Sequence, residues 1–339
     1  MMERQCVWFD SPHRVSVRRE PMPNLLPDQV LVKTIVSAIS AGTELLFYRG
    51  LVPSDMPLDA TLEALSGDVR YPLSYGYACV GRIVELGVQV PGEWNGHLVF
   101  SFHPHASHFV ARLDQVIPVA EEISPEQAAF LPNMETAVNL MMDGAPIIGE
   151  RVVVLGQGIV GLLTAGLLAK MPLDRLLTFD YFSLRREKSR GLGIADVFDP
   201  QDAHTLEEAR GRLGEDGADV TFELSGNPDA LNQALALTGF DGRIIIGSWY
   251  GQKKNSIDLG GKFHRSRIRL ISSQVSTLAP SLTGRWSKAR RLDVAWSMIR
   301  QIRLTDLITH RIPIGDAARA YELLDQHSDQ ALQVLLTYE

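Results

Sequence analysis

Four apolar residues, Val152–Leu155, run directly into Gly156-Gln157-Gly158-Ile159-Val160-Gly161, which sets three glycines in a G-x-G-x-x-G spacing. An apolar pattern resumes through Leu162, Leu163, Ala165, Leu167 and Leu168. That order predicts a buried strand, a tight turn and a helix. The first glycine permits the turn and the second lets the backbone approach a pyrophosphate. The third lets helix and strand pack closely, and free N–H groups at the helix N-terminus face the phosphates. A second apolar run, Leu176–Phe179, ends in Asp180, 19 residues past Gly161. That is close to the roughly 20-residue spacing of a carboxylate that binds an adenosine ribose.

The chain continues to alternate from there. Helical patterns at Leu184–Leu192, Leu206–Leu213 and Asp229–Leu237 separate apolar runs at Val197-Phe198, Asp219–Leu224, Gly242–Gly247 and Ile268–Ser273. Strands alternating with helices at this spacing predict an α/β doubly wound parallel sheet, with its ligand at the carboxyl ends of the strands. The dinucleotide crevice then takes Gly156, Gln157, Gly158, Ile159, Val160, Gly161, Asp180, Tyr181, Arg185, Ser225, Gly247 and Ser248. Asp180 favours NAD(H), because a carboxylate accepts both ribose hydroxyls and repels a 2′-phosphate. Arg185 and Arg186 leave NADP(H) open: they serve a 2′-phosphate, stack near the adenine, or form a solvated helix face.

The first third differs. Val15–Arg18, Gln29–Val36, Val80–Gly87, His97–Phe102 and His108–Ala111 read as short strands between Gly- and Pro-rich turns, which suggests a barrel-like β domain. At Ser124-Pro125-Glu126-Gln127 a capping box opens a helical stretch that leads to the glycine loop. The tail holds a helix at Leu292–Ile302, a strand near Ile308–Arg311, a helix at Asp316–Leu324 and a last strand at Gln333–Leu336. We expect residues 1–123, completed by 287–339, as one domain and 124–286 as the other. A length of 339 residues suits two cores. A net charge of −7 with no basic block argues against nucleic acid or an anionic membrane as partner. Two cysteines, no signal-like apolar core and no membrane-length apolar run fit a cytoplasmic protein with a small-molecule substrate.

Several segments resemble the medium-chain dehydrogenase/reductase superfamily, the alcohol dehydrogenase and quinone reductase group. Ser37–Glu44 is similar to its A-x-C-G-T-D segment, Tyr75–Ile83 to G-H-E-x-x-G-x-V, and Ile308–Ile314 with Ala317–Tyr321 to its closing segment. The resemblance implies an N-terminal GroES-like β-barrel domain, a Rossmann domain, hydride exchange with a nicotinamide, and a homodimer paired through the strand around 267–276. Its zinc ligands, however, fall on Ser40-Ala41, Tyr77-Ala78 and Leu131-Pro132, none of which supplies a Cys, His or carboxylate at the expected place. The lobe of four cysteines is absent. The resemblance therefore points to a zinc-independent branch.

Without a metal, hydrogen-bond donors must stabilise charge on the substrate oxygen. Thr43 matches the hydroxyl of the family's proton relay, Tyr77 takes a lost ligand position, and Ser40 is a third donor. These three are the candidate catalytic residues, and Tyr77 has the alternative role of filling the vacated volume. His103, His105 and His108 form a cluster that invites a substitute metal site. The absence of a visible acidic or thiol partner favours a polar surface loop, or a loop lining the substrate cleft. The leading reading is an NAD(P)-dependent oxidoreductase interconverting an alcohol and a carbonyl. The alternatives are an NADPH-dependent quinone or enoyl reductase, and a non-catalytic dinucleotide-binding protein.

Overall fold

The computed structural model describes residues 3–59 and 61–339. β1 (Glu3–Ser11) and β2 (Arg14–Pro21) make an antiparallel ribbon. β3 (Gln29–Ala38), α1 (Ala41–Tyr48), β4 (Cys79–Leu86), β5 (Leu98–Ser101), β6 (His108–Arg112) and β7 (Ile117–Pro118) follow. After α2 (Pro125–Ala128) and α3 (Leu131–Gly144) comes the alternating block: β8 (Arg151–Leu155), α4 (Ile159–Leu168), β9 (Arg175–Phe179), α5 (Ser183–Gly191), β10 (Asp196–Phe198) and α6 (Ala203–Leu213). It continues through β11 (Ala218–Glu223), α7 (Ala230–Leu237), β12 (Thr238–Ile246), β13 (Arg269–Ser272) and α8 (Lys288–Ile299). β14 (Ile308–Pro313), α9 (Ala317–Gln326) and β15 (Gln333–Thr337) close the chain. Among the described residues no helix is long and apolar enough to cross a membrane.

Two compact units result: residues up to Pro132 with Arg303–Glu339, and Asn133–Ile302. The first holds a mostly antiparallel sheet of order β14-β15-β3-β4-β5-β7. β3 is its centre. One edge pairs with β4; the other is shared, Gln29–Lys33 with β6 and Val36–Ala38 with β15. Alternating residues of β3, Val30 and Val32, enter a core with Ile83, Val99, Phe109 and Ala111.

The second unit is a parallel sheet of order β10-β9-β8-β11-β12-β13. Its strands are buried on both faces, which is why they read as unbroken apolar runs. Val153 and Leu155 pack with Leu213, Leu231 and Leu235 on one side; Val152 and Val154 pack with Leu140 and Leu168 on the other. The strand order reverses between β8 and β11, the place where such sheets bind ligands.

The unit boundaries fall later than the expected 123/124 and 286/287. The Ser124 capping box forms as expected, with Gln127 completing it, but α2 packs on β3 and β4 of the first unit. In the tail, α8 belongs to the second unit, because Arg291 on it is buried among α3 side chains. Only the chain from Arg303 onward completes the first unit.

Candidate active site

The glycine loop joins β8 to α4. Gly156 takes φ +91, and a Cβ there would stand 2.5 Å from Ser225 Cα, so its neighbour is the start of the loop after β11. A Cβ on Gly161 would lie 2.0 Å from the Gly156 carbonyl oxygen. Gly158, the N-cap of α4, has open space where its Cβ would project. The turn is thus closed against protein at two glycines and open at the third, as a pyrophosphate cradle at a helix N-terminus requires. Gln157 is fully buried, and its Nε2 donates to the Gly156 carbonyl. Ile159 and Val160 begin α4.

Asp180 follows β9 and is 6% exposed. Its Oδ2 accepts the Gln157 N–H at 2.7 Å and its Oδ1 accepts the Phe182 N–H at 2.8 Å. Each oxygen keeps a further lone pair for a ribose hydroxyl. Tyr181 beside it is exposed. Arg185 and Arg186 do not form a solvated helix face. The Arg185 guanidinium lies over the Phe182 ring and 3.8 Å from Asp180 Oδ2. Arg186 pairs with Asp199 at 2.9 Å and donates to the carbonyls of Asp180 and Tyr181.

Past the switch point, Ser225, Gly247 and Ser248 come together as the sequence predicts. Gly226 N–H donates to Ser248 Oγ at 2.9 Å and Gly247 N–H to the Glu223 carbonyl at 3.0 Å. Sequence reasoning missed their organiser. Glu223, fully buried at the end of β11, accepts from Ser225 N–H, Ser225 Oγ and Tyr250 Oη.

In the first unit Ser40, Thr43 and Tyr77 also come together. Tyr77 Oη donates to Ser40 Oγ, with the Thr43 side chain beside the same hydroxyl. The Tyr77 ring keeps part of its surface accessible, while burial of its hydroxyl pushes the phenol up to about 12, the Ser40 and Thr43 contacts opposing. It is a neutral hydrogen-bond donor at any pH below about 10. Ser40 is the N-cap of α1, yet its side chain makes no capping bond. An N-cap serine ordinarily spends its oxygen on that bond. Glu44 instead holds the serine backbone: its Oε1 accepts the Ser40 N–H at 2.7 Å.

The positions that carry zinc ligands in the resembling family are Ser40, Tyr77-Ala78 and Leu131-Pro132, with Ala78 and Leu131 buried. Hydroxyl, methyl and aliphatic groups do not make a zinc site. Among the described residues no group of three His, Cys, Asp or Glu side chains is placed to hold a metal. The three histidines do not converge. His103 stacks on Phe109, with Nδ1 2.8 Å from the Pro104 carbonyl, and His108 lies against Ser107 Oγ at 3.2 Å. His105 corrects the expectation of a surface or cleft-lining loop without partners. It is fully buried, with Nε2 3.0 Å from Glu44 Oε2 and Nδ1 2.7 Å from Ser37 Oγ. A thiol is also close: Cys79 Sγ donates to the His103 carbonyl at 3.2 Å.

Burial lowers His103 to about 4. Its folded value lies below the unfolded value near 6.5, so the unfolded chain alone binds the proton between the two. The stabilising effect of the neutral ring is complete above pH 6.5 and is lost as pH falls toward 4. Urea unfolding at pH 7 and pH 4.5 is expected to show a smaller acid loss in His103→Gln than in wild type, by on the order of 1–3 kcal/mol. An equal loss in both proteins would show that His103 is not the group involved.

A family profile described as zinc-binding dehydrogenase matches residues 160–292. The match lies within the second unit and spans none of the zinc-ligand positions just discussed. D-guloside 3-dehydrogenase of Escherichia coli (strain K12) is 22% identical over 333 residues, covering 93% of this chain and 94% of that protein. Over nearly its whole length the chain is thus similar to dehydrogenases, in line with the resemblance of its segments to the medium-chain dehydrogenase/reductase superfamily. Its curated relatives are named dehydrogenases, which supports an oxidoreductase of the dehydrogenase type. The 2R,3R-butanediol dehydrogenase of Bacillus subtilis superposes with a TM-score of 0.79 at 18% identity, covering 99% of this chain and all of that one. A protein described as a short chain alcohol dehydrogenase from Escherichia coli CFT073, solved with NADH, gives 0.79 and 18% over 99% of each chain. At that identity these two superpositions carry the fold.

Proposed function

We propose that this protein interconverts an alcohol and a carbonyl with NAD(H), without a catalytic zinc, using the hydroxyls of Tyr77, Ser40 and Thr43. The observation that carries the reading is the hydrogen-bonded Tyr77–Ser40 pair with Thr43 beside it. It occupies the positions at which zinc-dependent members keep metal ligands and relay hydroxyl. The nicotinamide supplies hydride when bound. The protein's own residues then have to hold a substrate oxygen and move one proton. The phenol proton that Tyr77 gives to Ser40 Oγ is redirected to that oxygen, while Ser40 and Thr43 pass a proton onward. A donor aimed at developing oxygen charge is worth about 2.7–4 kcal/mol in the transition state.

Tyr77→Phe is therefore expected to lower kcat roughly a hundredfold and to leave the NADH dissociation constant unchanged. Absorbance assays with a panel of secondary alcohols and polyols measure the first, fluorescence titration the second. Unchanged turnover removes Tyr77 from the mechanism. Stoichiometric zinc in the purified, dialysed protein would overturn the metal-free part. Asp180 supports NAD(H) over NADP(H), and comparing the two dissociation constants decides it. β13, at the edge of its sheet, is the strand through which a homodimer of the family's kind would pair; light scattering measures this. A cytoplasmic location accords with the cysteine usage.

A further inference from the structure

We propose that His105 is a positioning residue for the Ser40–Tyr77 hydroxyl pair, acting through Glu44 from one side and through the Gly76 backbone from the other. This rests on the functional reading above for Tyr77 and Ser40. The imidazole is fully buried and touches both halves of the pair's support. Its Nε2 meets Glu44 Oε2 at 3.0 Å, and the other oxygen of the same carboxylate holds the Ser40 N–H. Its ring lies against Gly76, the residue before Tyr77: a Cβ on Gly76 would stand 2.6 Å from His105 Cδ2. Gly76 has φ +120, so the backbone beneath Tyr77 is shaped to this ring.

The surrounding hydrogen bonds give His105 one orientation. Tyr338 Oη lies 2.7 Å from Ser37 Oγ, and Ser37 Oγ 2.7 Å from His105 Nδ1. Proton donation from Tyr338 to Ser37, from Ser37 to Nδ1, and from Nε2–H to Glu44 satisfies every group with a neutral ring. Glu44 is fully buried and receives three donors: the Ser40 N–H, His105 Nε2–H and Tyr321 Oη at 2.5 Å. A carboxylate held by three donors has no freedom to turn, and the Ser40 backbone it holds has none either. The Ser40 side chain makes no capping bond and is left for Tyr77. Where zinc enzymes fix their substrate-activating group by metal coordination, this chain fixes two hydroxyls by one imidazole.

The test uses the whole protein labelled with 13Cζ-tyrosine. The Tyr77 signal is the one missing from Tyr77→Phe, and it reports the hydrogen bond of that hydroxyl without any substrate. His105→Asn, which keeps the Ser37 contact and removes the donor to Glu44, is expected to move this signal. It is expected to lower kcat roughly ten- to hundredfold at nearly unchanged KM on the best alcohol of the panel. His105→Gln, which places an amide donor near the Nε2 position, should recover most of both. In a Tyr77→Phe background the added cost of His105→Asn should be under about twofold, because the two act on one hydrogen bond. Glu44→Gln cuts the same link from the other end and answers if His105→Asn does not fold. A Tyr77 signal that stays in place overturns the proposal, as does a kcat loss that is fully additive with Tyr77→Phe. If Tyr77→Phe itself leaves kcat unchanged, the functional reading fails instead, and the tyrosine signal alone decides the link from His105.

Discussion

Gly161→Ala is expected to abolish measurable dinucleotide binding and lower the unfolding temperature, whereas Gly158→Ala should lose the dinucleotide alone. At Gly161 the added methyl would stand 2.0 Å from the Gly156 carbonyl oxygen and 2.9 Å from its carbon. Both obstacles are backbone, so relief requires α4 to move off β8. Alanine favours a helix over glycine by about 1 kcal/mol. Overpacking costs about 1–3 kcal/mol even where side chains can yield, and here none can. The overlap wins, and it opens the turn whose N–H groups would hold the phosphates. At Gly158 the backbone has φ −65 and ψ −175, which any L-residue adopts, and nothing of the protein lies within 4 Å of the added Cβ. Alanine there is tolerated by the fold and obstructs only a ligand in the open space. Thermal unfolding and NADH fluorescence titration separate the two effects. A Gly158→Ala protein that binds NADH normally would place the pyrophosphate elsewhere.

The contrast between those glycines also shows why the second unit was legible in the sequence. Its strands, helices and turn are each encoded within about 10–20 residues, and parallel strands buried on both faces announce themselves by unbroken apolar runs. Asp180 was found by spacing, and it does meet the loop, through the Gln157 N–H. Glu223 was not found, because nothing local distinguishes a carboxylate that ends a strand buried from one that ends it in water. Its donor Ser225 is two residues on, but Tyr250 lies beyond β12, 27 residues along the chain, and reaches the carboxylate across the β11–β12 pair.

The first unit was harder to read. Its strand pattern was visible, but β1 and α1 were not anticipated. α1 spans Ala41–Tyr48 and carries Gly42 and Thr43 in its first turn, both poor helix formers. What stabilises it is the Glu44 carboxylate bound to Ser40, His105 and Tyr321. Those partners lie 4, 61 and 277 residues away along the chain. The same distance explains the misreading of His105. A window around three histidines contains no acid, and the acid arrives from α1. Resemblance located Ser40, Thr43 and Tyr77; only the fold shows that they touch.

Arg291→Met is expected to cost roughly 3–5 kcal/mol of stability in the second unit, the range for removing one member of a buried ion pair. Arg291 is 1% exposed, and its partner Glu135 side chain 12%. The guanidinium donates to Glu135 Oε1 at 2.9 and 3.2 Å, to Asn139 Oδ1 at 2.5 Å, and to the carbonyls of Val275 and Thr277 at 2.5 and 3.2 Å. It thereby ties the segment after β13 to α3. Methionine fills a similar volume and satisfies none of the four acceptors. The carboxylate is then left without its counter-ion, which is the larger part of the cost. Adding Glu135→Leu should recover some of the loss but not all, since Asn139 and two carbonyls stay unpaired. NADH affinity should change far less than stability, because β13 stands at the opposite end of the sheet order from β9 and the Asp180 that follows it. Urea unfolding followed by circular dichroism measures the first and fluorescence titration the second. A loss below about 1 kcal/mol, the scale of an exposed ion pair, would show that water replaces the guanidinium and that this buried arginine is not what fastens the edge of the sheet.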